Sequence, residues 1–561
     1  MQNRLRRAPR FFLVACSGWM LTIFLILPSA QSGAERRPRH AAIHANLSLF
    51  THSENCAACH NNLSTPAGED VSIGASWRST MMANSGRDPY WQAAVRREVT
   101  DHPRHTEAIQ DECAGCHMPM STRISRAAGG KGEVFAHLPI AEQSSPLGRL
   151  AADSVSCTVC HQISNERLGT RESFNGEFVL PETPPDGKRP IFGRYTIDQG
   201  RTTIMHSVSG FAQSEGKHIT ESELCASCHT LITQAFGPDG EVIGSLPEQM
   251  NYQEWQHSDF SREQRSCQSC HMPAASGPIR TASVLGDVRD RLSRHLFVGG
   301  NAFMVRLLNR YRAELGVEAT PAELEATARA TERQLRDETA TVSVSTPQLA
   351  GRTLTFDVDV RNLSGHKFPT GYPSRRTWLH VTVRNAQGAP VFESGAIAET
   401  GAIQGNDNDA DPLRHEPHYE RISRPDQVQI YEAVLGDRNG RPTTGLLTAT
   451  QYLKDNRLLP RGFDKTTADP MIGVYGDAAR DLDFSGGGDR VRYVVDTTGD
   501  GPFSVSVELR YQSIGFRWAH NLAAYDSAEP KRFVRYYTAL APASSSLVTS
   551  ATARLEPTGS R

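Results

Sequence analysis

Ten of the eleven cysteines in this 561-residue chain fall in five copies of one pattern: Cys56-Ala-Ala-Cys59-His60, Cys113-Ala-Gly-Cys116-His117, Cys157-Thr-Val-Cys160-His161, Cys225-Ala-Ser-Cys228-His229 and Cys267-Gln-Ser-Cys270-His271. A Cys-x-x-Cys alone suits a redox dithiol, a zinc knuckle or a disulfide framework. A His directly after each pair is instead the signature for covalent attachment of haem c. One turn presents two thiols to the two vinyl groups of a porphyrin, and the next residue reaches the iron from the proximal side. Five covalent haems c are expected, bound by these ten cysteines, with His60, His117, His161, His229 and His271 as proximal ligands. The eleventh cysteine, Cys16, lies in the leader, so no thiol is left for a structural disulfide.

Apolar residues make up only 38% of the chain, low for a protein with a packed core in each of two or three domains. Porphyrins, each a large planar apolar body, are expected to supply the missing core. A formal net charge of -2 gives no reason to expect nucleic acid or an anionic membrane surface as a partner. Arg4, Arg6, Arg7 and Arg10 precede an apolar run from Phe11 to Leu27 and a small-residue segment ending at Ala34. This is the layout of a secretory signal peptide over 1–34, cleaved after Ala34 or Ala30, and it places the chain in the periplasm or at the outer surface. The alternative is an uncleaved anchor, since the run just reaches spanning length; membrane contact is expected only through that segment. Leu13-Val-Ala-Cys16 resembles a lipoprotein cleavage box but comes before most of the apolar run, so Cys16 is read as discarded with the leader.

The expected fold class is α+β multidomain. A mainly helix-and-loop pentahaem domain spans 45–300, its motifs too irregularly spaced for a solenoid. A helical connector follows over 301–339, with one helix from Ala302 to Leu315 stopped by Gly316 and a second started by Thr320-Pro321. From 340 to 545 the apolar period changes to two, as in Leu354, Phe356, Val358 and Val360, in Leu379, Val381 and Val383, and in Phe503, Val505, Val507, Leu509 and Tyr511. That alternation predicts an antiparallel β-sandwich-like domain. The Ser, Thr and Ala rich stretch 546–561 reads as a disordered tail.

The sixth ligand of each iron decides whether a haem only carries electrons or also binds substrate. His40, His44, His52, His102, His105, His137, His206, His218, His257 and His295 offer enough imidazoles for bis-histidine ligation throughout. The distal candidates ranked first are His52, four residues before Cys56, and His137, His206 and His295, which sit among apolar neighbours. His257 and His218 follow. Met81 or Met82 is the methionine candidate, ahead of Met118, Met120 and Met272, and such residues also suit core packing. In the β domain, Gly365-His-Lys-Phe-Pro-Thr-Gly-Tyr-Pro-Ser-Arg-Arg-Thr-Trp378 predicts a tight loop from which His366 reaches a haem or stays on the surface. Asp407-Asn-Asp409-Ala-Asp411 groups oxygens as calcium loops do but lacks the Gly and distal Glu of an EF-hand.

The chain resembles the bacterial multihaem c-type cytochromes. Residues 50–300 look most like the family typified by the nitrifiers' tetrahaem cytochrome that accepts electrons from hydroxylamine oxidoreductase. The resemblance rests on the motifs and on a Trp-x-x-Ser-like helix before a haem site, here Trp255-Gln-His-Ser258 and, less closely, Trp77-Arg-Ser79. The family commonly has a distal His after that Ser; this chain has Met81 two residues after Ser79, and Asp259 after Ser258, so the resemblance leaves a five-coordinate iron open. The 365–378 stretch also resembles the β domain appended to longer multihaem cytochromes. No Cys-x-x-Cys-Lys motif, which marks the catalytic haem of pentahaem nitrite reductases, is present. The first expectation is an electron carrier between a redox partner, another cytochrome or a periplasmic or membrane oxidoreductase, and a terminal acceptor in respiration, with no catalytic residue assigned. The second is a multihaem oxidoreductase whose open-site haem acts on a small nitrogen or sulfur compound, with His102 and His105 as proton donors. Exposed strand edges of the β domain suit docking to a partner or to copies of the chain.

Overall fold

The computed structural model describes residues 41–499 and 501–556. The 1–34 leader, Cys16 and His40 lie outside the described residues. Among the described residues no helix is long and apolar enough to cross a membrane.

The motif region is built from short helices, and each motif forms or ends one. Thr106–His117 and Ser222–His229 finish on the motif histidine, while Ser53–Ala57, Cys157–Cys160 and Cys267–His271 are about one turn long. Pro89–Asp101 is the longest helix before residue 300. Its start is fixed by Pro89 in the first turn and by the Asp88 carboxylate, which accepts hydrogen bonds from the Tyr90 and Trp91 backbone N–H groups, a standard N-cap. Three two-stranded ribbons, unforeseen in the helix-and-loop reading, link these pieces. Thr230–Phe236 pairs antiparallel with Val242–Met250, Ala274–Arg280 with Val288–Ser293, and Arg189–Gly193 runs parallel to Phe211–Glu215.

The connector forms where the pattern places it, with one break. Ala302–Arg310 and Arg312–Leu315 are separate helices, and Gly316 ends the second in the left-handed region at φ +64, where glycine has no Cβ penalty. Thr320 caps Pro321–Glu338 in a reciprocal capping box with Glu323. Phe303, Leu307, Leu308, Leu324 and Ala328 pack in one core with Tyr90 and Ala93 from the motif region and with Phe533, Tyr536 and Tyr537 from the C-terminal helix Ala528–Leu540. The connector is thus part of a core to which both ends of the chain contribute.

Two sheets form the sandwich. Arg376–Arg384 and Phe503–Gln512 lie at the centre of a seven-stranded sheet, and Thr353–Asn362 pairs with Gly488–Asp496 in a five-stranded one. Their inward residues make one core: Leu354, Phe356, Val358 and Val360 from one sheet face Leu379, Val381, Val383, Val505, Val507 and Leu509 from the other. One pairing is parallel, Arg421–Ile422 against Gly488–Asp496. The expected disordered tail is corrected as far as residue 555: Ser545–Leu555 is a full strand paired along Phe503–Gln512, and its Val548 is completely buried, while 557–561 lie outside the described residues. Its β-branched Val548, Thr549 and Thr552 suit a strand laid on a long neighbour, although by composition alone the stretch resembles a linker.

Candidate functional site

Four of the five motif histidines are oriented by the same device. Nδ1–H donates to a backbone carbonyl: His60 to Thr281 at 2.8 Å, His117 to Ser85 at 3.2 Å, His161 to Phe192 at 2.6 Å, and His271 to Val298. That leaves the Nε2 lone pair free for a metal, the usual arrangement of a ligating imidazole. Burial lowers the pKa of His117 and of His229 to about 4 and lowers those of His161 and His271. These rings are therefore uncharged at neutral pH, the form that ligates.

Two further imidazoles face motif histidines. His295 stands opposite His161 with ring centres 6.2 Å apart and planes 19° apart, and His366 stands opposite His271 at 6.2 Å and 16°. Each donates its own Nδ1–H to a carbonyl, His295 to Ser293 at 3.1 Å and His366 to Lys367 at 2.8 Å. Burial holds their pKa values at about 3 and about 4. Two imidazoles on one metal need about 2 Å from each nitrogen to the metal and about 1 Å from each nitrogen to its ring centre, so about 6 Å in all. The observed spacing is too wide for ring-on-ring stacking and right for a shared ion. All ten motif cysteines are free thiols, so the donor set fits covalent haem c at these motifs.

The motifs adjoin in an order unlike their order in sequence. The sulfurs of Cys157 and Cys56, of Cys116 and Cys228, and of Cys225 and Cys267 lie side by side. The rings of His60 and His161, of His117 and His229, and of His229 and His271 are also near neighbours, as are Cys160 and Cys225. The first motif therefore neighbours the third, the third neighbours the fourth, and the fourth also touches the second and the fifth.

The other distal candidates are placed differently. His52 begins the first motif's helix without capping it. His137 is buried at the end of the turn Phe135–His137 with its pKa lowered to about 4 by burial. His206 lies on Gln199–Ser209, a helix in contact with Ser53–Ala57. His218 donates Nε2–H to Ile163 O at 2.8 Å and His257 to Asp464 O at 3.1 Å, which uses the nitrogen a metal would need. Met81 packs against the shared helical core, and Met118 and Met120 are fully buried. Among the described residues no second imidazole faces His60, His117 or His229 at the 6.2 Å spacing; His117 instead stacks on Trp91 at 4.4 Å. His102 and His105 are engaged elsewhere, His102 with Thr448 at 3.3 Å and His105 with Gly240 O at 2.7 Å and the Phe236 ring.

Sequence reasoning missed a group of buried carboxyls near the second motif. Burial, with help from Glu112 and Glu98, raises Glu248 to about 8; burial raises Glu112 to about 6 and also raises Glu98. Glu98 accepts the Leu446 and Leu447 N–H groups at 2.9 and 3.3 Å. Glu248 is the extra residue of a bulge, because Leu231 pairs with Gln249 and Ile232 already with Pro247. Bulges of this kind re-aim a side chain, and nothing in the linear pattern announces one.

Neither cation candidate fits. In the calcium-like stretch, Asp409 binds Arg376 through two 2.8 Å hydrogen bonds and Asp407 pairs with Arg414 at 2.6 Å, so arginines take the oxygens. His418, Asp481 and Asp489 form a buried trio. There the Gln429 and Asn456 side-chain amides both donate to His418 Nδ1, at 2.8 and 3.0 Å. Each amide is oriented by a backbone N–H donated to its oxygen, from Tyr419 and Glu432. The ring proton is therefore on Nε2, donated to Asp481 at 3.0 Å, and blocks a metal there.

No protein-family model matches the sequence, and no curated protein matches it. Among solved structures, a penta-haem cytochrome c552 from Thermochromatium tepidum is similar in fold, with a TM-score of 0.51 at 16% identity. The alignment covers 91% of this chain and 100% of the other. A share that large takes in the β region as well as the motif region, so the likeness is to the whole α+β architecture.

Proposed function

We propose that this chain is an extracytoplasmic electron-transfer protein that binds five haems c at its five motifs and exchanges electrons with redox partner proteins. The observation that carries this reading is the adjacency of the five motifs, joined with two imidazole pairs at metal-sharing distance. Bound haem supplies one-electron redox chemistry. The chain's own residues fix the cofactors through the cysteine pairs, aim four of the five motif Nε2 atoms by anchoring Nδ1–H, and keep the imidazoles of His117, His161, His229 and His271 uncharged by burial. Neighbouring motifs give a continuous path in which the fourth meets three others. The partner is read as another cytochrome or a periplasmic or membrane oxidoreductase, and the leader supports export.

A second reading is an oxidoreductase acting on a small nitrogen or sulfur compound at an open haem. It is favoured by the motif histidines that no imidazole among the described residues faces at that spacing, His60, His117 and His229, and by the buried carboxyls around Cys113 of the second motif. Low-temperature EPR of the oxidised holoprotein, with and without cyanide, nitrite, hydroxylamine or sulfite, separates the two. Five low-spin haems unmoved by added ligand support the carrier. A high-spin haem converted by a small ligand moves the assignment to the enzyme, and an intact mass without added haem overturns both.

A further inference from the structure

His366 is presented by a loop held from behind by four buried charges. The Lys367 ammonium donates to Asp455 at 2.7 Å and to Gly473 O at 2.8 Å. Arg457 grips the same Asp455 through two hydrogen bonds of 2.8 and 2.7 Å. Its Nη1 lies 3.0 Å from Glu254 Oε1, off the hydrogen-bonding direction, so this last contact is ionic. Glu254 Oε2 accepts the Lys367 backbone N–H at 3.2 Å and the Thr370 hydroxyl. Exposures are 0% for Lys367 and Glu254, 1% for Asp455 and 7% for Arg457. Two cations and two anions balance only while all four are present.

Three members, Lys367, Asp455 and Arg457, belong to the β region. Glu254 does not: it lies on Asn251–Gln256, between the fourth and fifth motifs. One carboxylate thus ties the backbone on the C-terminal side of His366 to the segment that leads into Cys267–His271. Within the β region the loop is also held by reciprocal backbone hydrogen bonds between Phe368 and Leu458, both 2.9 Å, and by the Asn362 amide and Ser364 hydroxyl, which donate to His366 O at 2.8 and 3.1 Å.

We infer that Glu254 is a positioning residue that fixes His366 opposite His271. The inference rests on reading His366 as an iron ligand. Removing the Glu254 charge leaves a surplus cation in a dry site, which is costly, and frees the Lys367 N–H and the Thr370 hydroxyl together. The loop then loses its tie to the motif region, and the imidazole loses its fixed distance from His271.

The test uses full-length holoprotein with three changes: Glu254→Gln, His366→Ala and both together. EPR and potentiometric titration of each haem are the readouts. In Glu254→Gln, one of the five haems should lose part of its low-spin signal, shift in potential and gain binding of added imidazole that restores the signal. His366→Ala should convert the same haem more fully, and the double variant should add nothing to it. Wild-type g-values and potentials in Glu254→Gln, beside a high-spin haem in His366→Ala, would overturn the inference and leave the ligand reading standing. No high-spin haem in His366→Ala would overturn the ligand reading itself. If Glu254→Gln fails to accumulate, Thr370→Val removes one hydrogen bond to the same carboxylate without changing charge and is read the same way.

Discussion

Replacing Asp455 by Asn should flatten the acid limb of this protein's stability curve. Burial alone would raise the Asp455 carboxyl, but Arg457 and Lys367 outweigh it and hold the group at about 2, against an ordinary value of 3.8. A depressed carboxyl contributes stability that is fully present above the unfolded pKa and is lost as pH falls through the folded one. The window therefore runs from about pH 4 down to about pH 2, and the contribution is about 2.5 kcal/mol. Near pH 6, Asp455→Asn also leaves two buried cations facing Glu254 alone, and breaking a buried pair in this way costs about 3–5 kcal/mol. Guanidinium unfolding of wild-type and variant holoprotein, followed by far-UV circular dichroism from pH 6 to pH 2, reads the difference. Acid effects on the histidines are common to both proteins and cancel. The gap should shrink by about half or more across that range. A gap that stays constant with pH, or one below about 1 kcal/mol at pH 6, would refute the electrostatic account of the network.

Other expectations are separate. His295→Ala should turn one haem, the neighbour of His161, high-spin and leave the other four unchanged by EPR. Glu248 has a raised pKa of about 8, so wild-type stability should fall as pH climbs from about 4.5 to 8. Glu248→Gln should accordingly be more stable than wild type by a few kcal/mol at pH 8–9 and no more stable at pH 4, as measured by denaturant midpoints. Gly316→Ala places a Cβ 2.8 Å from the Ala141 Cα at φ +64 and should cost about 1–3 kcal/mol in the same assay.

The cofactor pattern and the sandwich strands could be read from the chain because both are local. Cys-x-x-Cys-His is one turn of helix, and the alternation at Leu354, Phe356, Val358 and Val360 is one strand with a buried face. The Thr320 cap with Glu323 is equally local. Ligand pairing is a matter of tertiary distance, which linear spacing does not encode. His137 has the apolar neighbours of a ligand but, among the described residues, forms no ring pair with a motif histidine, whereas His366, far along the chain, meets His271. The ribbon Ala274–Arg280 escaped notice because its Ala, Ser, Gly and Pro residues carry no alternation. The strand Ser545–Leu555 escaped because composition outweighed pattern.

The C-terminal helix Ala528–Leu540 packs on Pro89–Asp101, joined by a salt bridge between Arg96 and Glu529. This sets an order of events for a chain that emerges N-terminus first. The second motif's surroundings cannot close until almost the whole polypeptide has been made, because contacts so distant in sequence form late. Through that interval the second motif's surroundings stay incomplete. A chain cut short before residue 528 would carry all five motifs and still lack the helix that covers Pro89–Asp101.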